Sequence, residues 1–195
     1  MPSPLTRALD LTAALDAAAT PQAVGLGLLE ALAPFGARTV FAASFTLPVA
    51  GDVAAFHATR RLFAQRSPPG WIEGYFRRGL HDRNPVIFGT ARRATAFRWS
   101  DPGFADLMNW PGLAFARELG IADGICVPCH GIGLEAGLIS FGFERIELSP
   151  VERQALVLAA GLGYDRMRTL AAAEAPKRPV LTPRERDCLA YVAEG

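Results

Sequence analysis

Three stretches of the chain carry residue types at spacings that could do chemistry. Residues 125–131 read ICVPCHG, and Cys126-x-x-Cys129-His130 is the pattern that tethers haem through two thioethers and a histidine ligand. Gly131-x-Gly133-x-x-Ala136 fits a relaxed dinucleotide fingerprint. Within WIEGYFRRGLHDRNPV (71–86), Trp71 and Tyr75 stand four apart, so on a helix they share a face. Each pairs an apolar body with a polar tip, an indole N–H or a phenolic hydroxyl. Such a pair suits a site that encloses an oily ligand and hydrogen-bonds one polar head. The same spacing also serves an aromatic core stripe, and taken alone it favours that use.

The elements that must position these residues decide among the readings. Ile125-Cys126-Val127-Pro128 follows Gly124 and is largely apolar with two β-branched residues, so it reads as a strand. Side chains three apart on a strand face opposite sides, so Cys126 and Cys129 diverge and share no metal. Zinc needs further ligands, and His57, His81, His130 and Cys188 stand at no recognisable spacing. A dinucleotide fingerprint must open a helix, whereas AGLISFGFE (136–144) is β-rich; a turn between strands explains the glycines. Glu73 and Asp82 read as a solvated, arginine-flanked surface rather than paired catalytic carboxylates. No G-x-S-x-G elbow, phosphate-binding loop or H-E-x-x-H appears, so no enzyme and no cofactor is expected.

Helices are expected over the first 35 residues, reset at Thr20-Pro21, and over 71–80. Ser100-Asp101-Pro102-Gly103 is expected to cap another, running to about Glu118. A further helix opens at the capping box Ser149-Pro150-Val151-Glu152 and ends near Ala173. Strands are expected at 38–47, 53–58, 94–99, 125–130 and 136–144, with Asn84-Pro85 as a break. Hairpin connections make this a mixed α/β domain with an antiparallel sheet. Residues 174–180 read as a charged, proline-containing linker. A second capping box, Thr182-Pro183-Arg184-Glu185, then opens a helix at the end of a stretch too short to bury a core, so a longer natural protein is expected.

Composition narrows the class. Half of the residues are hydrophobic and 20% are charged, enough apolar surface for a core. Net charge is +1, with 19 arginines and a single lysine, which makes no electrostatic case for nucleic acid or membrane. Asp10 and Asp16 interrupt the N-terminal stretch, which does not read as a secretory signal, and no window suits a membrane span. A cytoplasmic protein with three reduced cysteines is expected.

Trp71, Tyr75, Asn84-Pro85-Val86, Trp99 fifteen residues after Asn84, and Gly124 before a strand together resemble the autoinducer-binding domain of LuxR-type quorum-sensing regulators. LTPRERDCLAYVAEG (181–195) resembles the opening of that family's helix-turn-helix DNA-binding domain. The resemblance implies an α–β–α sandwich with a central antiparallel sheet over residues 1–173, a linker at 174–180, and a truncated DNA-binding domain at 181–195. It implies an N-acyl- or aryl-homoserine lactone as ligand, a homodimer, and promoter DNA as partner of the full-length protein only. Carried over residue by residue, Trp71 donates to the lactone carbonyl and Tyr75 lines the pocket. Asn84 accepts from the ligand amide, Val86 walls the acyl chain, Trp99 packs on the lactone, and Ser140 contacts the amide region. Two positions depart from the pattern. Ser67 stands where many members have a tyrosine, and Asn84 replaces the usual aspartate. An orphan receptor for a non-lactone ligand, or a ligand-free dimerisation module, is the alternative.

Overall fold

A computed structural model describes residues 4–46, 59–81, 84–90, 93–101, 110–131 and 135–174, and beyond them positions 182, 184, 185, 188, 191 and 192. Two helices open the chain, α1 (Pro4–Ala17) and α2 (Pro21–Leu32), and a 3₁₀ turn (Ala33–Phe35) leads into strand β1 (Ala37–Thr46). Strand β2 (Arg61–Arg66) and helices α3 (Trp71–Arg77) and α4 (Pro85–Thr90) follow. Then come β3 (Phe97–Arg98), α5 (Pro111–Glu118), β4 (Asp123–Pro128), β5 (Glu135–Phe143) and the long α6 (Pro150–Glu174). The strands form one five-stranded sheet in the order β2-β1-β5-β4-β3, antiparallel throughout.

Alternation along the central strands sorts side chains to the two faces. Val40, Ala42, Ile125, Val127, Ile139, Phe141 and Phe143 point to one face, where Val24, Leu28, Leu156, Tyr164 and Met167 of α2 and α6 cover them. Ala43, Phe45, Cys126 and Leu138 point to the other, beneath Val86, Ile87 and Leu113 of α4 and α5. The result is the α–β–α sandwich that the family resemblance implies.

Local signals hold where helices begin. Thr20 Oγ1 accepts from Ala23 N at 3.2 Å, with Pro21 in the first turn. Ser149 N donates to Glu152 Oε2 at 2.8 Å and Glu152 N to Ser149 Oγ at 3.3 Å, a complete capping box that holds the Glu152 carboxyl below its ordinary range. Thr182 and Glu185 make the same reciprocal pair.

Several expectations need correction. Strand β2 lies within a stretch to which no element was assigned. Its sequence RLFAQR does not alternate because the register slips opposite Ala42 and Ala43, so Phe63 and Ala64 both turn to the same core. Asn84-Pro85 starts a helix rather than merely breaking the chain, since Asn84 caps α4 and proline suits its first turn. The strand expected at 94–99 contracts to Phe97–Arg98. The strand at 53–58 and the linker at 175–180 lie outside the described residues. So do His57, Asp82, Gly133 and residues 102–109, over which a helix is expected from the sequence.

Cys126 faces the α4–α5 side, whereas Cys129 packs against the cluster under α2 and α6. The two thiols diverge, and burial pushes each up to about 12. Among the described residues no cluster of three or more His, Cys, Asp or Glu side chains could hold a metal, and no helix is long and apolar enough to cross a membrane.

Two outcomes follow from this packing. Phe141, fully buried, sits at the centre of the sheet; Phe141→Ala is expected to cost about 3–5 kcal/mol in denaturant unfolding. In the folded protein at pH 8, iodoacetamide is expected to label exposed Cys188 and to spare Cys126 and Cys129 until denaturant is added. Peptide mass spectrometry reads the difference.

Candidate ligand-binding site

Between the sheet and the α3–α5 layer lies a cavity of about 150 Å³, the size that holds a small ring. All six candidate residues, Trp71, Tyr75, Asn84, Val86, Trp99 and Ser140, line it, although they come from four separate parts of the chain.

Helix α3 brings Trp71 and Tyr75 to one side. Their rings stack with centroids 5.6 Å apart, and Trp71 also stacks on Phe115 of α5 at 5.3 Å. The Arg78 guanidinium covers Phe115 at 4.1 Å. This close approach requires Gly74, because a Cβ there would lie 2.3 Å from Phe115 Cζ. Trp71 is half-buried, and its indole N–H has no acceptor among the described residues.

Asn84 sits at the start of α4 with its side chain engaged at both ends. Oδ1 accepts from Val86 N at 2.9 Å and Ile87 N at 3.4 Å, and Nδ2 donates to the Tyr75 hydroxyl at 2.9 Å. The second of these roles ties α4 to α3. Immediately after Asn84, Val86 and Ile87 supply apolar wall.

A polar knot places Trp99. Asp123 receives Arg98 Nη2 at 2.6 Å, Ser100 Oγ at 2.7 Å and Ser100 N at 3.1 Å, while Trp99 N donates to Gly124 O at 3.0 Å. The Asp123 side chain is only 12% exposed, so the ion pair with Arg98 is partly desolvated and well satisfied. The indole then lies across Gly124, where an added Cβ would be 2.2 Å from Trp99 Cε2, and Trp99 Nε1 donates to Ser140 Oγ at 3.3 Å. Gly124 is therefore a seat for Trp99.

Sequence reasoning did not single out Phe41, Ile87, Trp110, Leu113 and Leu138 in the wall, or Gln65 and Arg66 on the β2 side. Leu138 was within reach, being two residues before Ser140 on the same strand face. Trp110 and Leu113 carried no such signal, since only the packing of α5 brings them in. Ser67 does line the cavity, and its hydroxyl accepts from Gln65 Nε2 at 3.3 Å.

A sheet covered on both faces by helices, with an apolar cavity studded by indole, phenol, hydroxyl and amide groups, is the architecture of a small-molecule receptor. Residues 28–167 match the family model described as autoinducer binding domain, and the chain belongs to that family, the ligand-binding domain of LuxR-type regulators. It is 30% identical over 143 residues to the transcriptional activator protein BjaR1 of Bradyrhizobium diazoefficiens, covering 69% of this chain and 57% of that one. Identity is also 30% over 131 residues with the quorum sensing-dependent transcriptional regulator RpaR of Rhodopseudomonas palustris, covering 66% and 54%. The chain thus spans a little over half the length of these curated relatives. Among solved structures, SdiA in complex with octanoyl-rac-glycerol superposes with a TM-score of 0.73 at 17% identity, covering all of this chain and 79% of SdiA. CepR2 of Burkholderia cenocepacia, an N-acylhomoserine lactone-dependent LuxR family factor, gives 0.61 at 20% identity, covering 88% and 98%.

Gly124→Ala should unseat Trp99 from Ser140. A loss of about 1–3 kcal/mol in stability is expected, with a change in tryptophan emission; an unchanged melting curve and spectrum would refute the seat.

Proposed function

We propose that this chain is the ligand-sensing portion of a LuxR-type transcriptional regulator, and that its cavity holds an N-acyl- or aryl-homoserine lactone. The observation that carries the reading is the convergence of Trp71, Tyr75, Asn84, Val86, Trp99 and Ser140 on one cavity from four parts of the chain. Trp71 offers an unshared indole N–H to the lactone carbonyl, and Trp99 offers a flat face for the ring. Ser140 already accepts from Trp99, so its own proton is free to be donated to the acyl carbonyl. Tyr75 and Val86 line the path of the acyl group. That SdiA, a fold neighbour, is in complex with octanoyl-rac-glycerol supports an acylated small molecule as the ligand class.

In the full-length regulator, ligand burial stabilises this domain by mass action and so sets the arrangement of a DNA-binding module that begins near Thr182. Promoter DNA is the partner of that complete protein, which acts as a homodimer in the cytoplasm. Val151, Leu158 and Leu162 of α6 support the dimer: they recur at helical spacing on one face and are 74%, 71% and 55% exposed.

A thermal-shift screen against acyl- and aryl-homoserine lactones tests the ligand class. At a hundredfold excess over Kd the stabilisation is expected to be about 2.7 kcal/mol, a rise of several degrees. Folded, unoccupied protein that responds to no lactone would overturn the proposal.

A further inference from the structure

The Asn84 amide has one acceptor atom and one donor atom, and the fold decides which way round they lie. Oδ1 caps the first turn of α4 by accepting from Val86 N and Ile87 N, and Nδ2 donates to the Tyr75 hydroxyl. Flipping the amide would set an NH₂ group against two backbone N–H groups and leave that turn uncapped. The oxygen is therefore held toward the helix, and the NH₂ toward Tyr75 and the cavity that both residues line.

An aspartate in this place has two acceptor oxygens, one for the cap and one for a ligand. Asn84 has a single acceptor, and its two lone pairs are already claimed by backbone donors. No aspartate or glutamate lines the cavity among the described residues. Thr39, Gln65 and Ser67 bring hydroxyl and amide oxygens to the wall, and around Asn84 itself the groups on offer are donors. Trp71 and Trp110 carry indole N–H groups without an acceptor among the described residues, Asn84 has a second N–H, and Ser140 has a proton to give because it accepts from Trp99.

We infer that at Asn84 the pocket reads its ligand through an acceptor oxygen and does not read a linking N–H, so that it takes acyl groups joined to the headgroup by an ester better than by an amide. This rests on the acyl-lactone reading above and narrows the chemistry at its centre. An amide N–H directed at Asn84 meets another donor. Leaving such a group buried and unmatched costs roughly fivefold to 150-fold in affinity. An ester oxygen in the same place meets no such conflict and can accept from Nδ2.

The test is calorimetric titration of the protein with matched pairs: N-butanoyl-, N-octanoyl- and N-cinnamoyl-homoserine lactone against the corresponding α-acyloxy-γ-butyrolactones. Asn84→Asp is titrated beside it, because aspartate keeps an oxygen for the helix cap and supplies a second one. For the best-bound acyl group, the ester is expected to bind the native pocket about fivefold or more tightly than the amide. Asn84→Asp is expected to shift the ratio toward the amide by tenfold or more. Equal binding of the two or a native preference for the amide, or no shift in the variant, overturns the inference while leaving the lactone reading standing. Binding of neither member of any pair by folded native protein overturns both.

Discussion

Strand β5 is buried on both faces from Ala136 to Phe143, and that constraint organises the rest of the molecule. A strand in that position can pair its backbone groups only with neighbours on either side, here β1 and β4. Its two rows of side chains need a helical layer each. The layer of α1, α2 and α6 closes tightly: Val24, Leu28, Ala160 and Met167 are almost wholly removed from water against Ile139 and Phe141. The opposite layer is built from short helices, α3, α4 and α5, and leaves a cavity. Two-sided burial thus gives the protein one closely packed face and one that encloses a cavity.

On the latter face, aromatic groups are held by polar groups just outside the cavity. Asp123 gathers Arg98 and Ser100, and the intervening Trp99 is laid onto Gly124 and Ser140. Trp71 is held between Tyr75 and Phe115, with Arg78 behind the latter. The rings are thus fixed by contacts within the protein itself, which limits the conformational freedom a ligand must remove.

Asn84 shows how structural and recognition demands compete for the same atoms. Capping α4 satisfies two backbone N–H groups that the helix cannot pair internally, and it places Val86 and Ile87 in the wall. With one acceptor oxygen, the amide meets that demand and turns its donor to the pocket. The polarity of the site therefore follows from the helix start as much as from the ligand.

Much of this was legible in the residues themselves. Capping at Thr20 and Ser149 was readable because a cap is a local arrangement of a few consecutive residues. The divergence of Cys126 and Cys129 followed from strand periodicity, without any tertiary information. The shared face of Trp71 and Tyr75 was equally local. Strand β2 stayed hidden because a bulge breaks its alternation, and a bulge is defined only by the partner strand. Trp110 and Leu113 reach the cavity through the docking of α5, which no spacing encodes. The sequence by itself thus determined most of the elements, the caps at Thr20 and Ser149, and the family. Only the tertiary structure decided which way the Asn84 amide faces, because its orientation depends on α4 and on Tyr75 nine residues away.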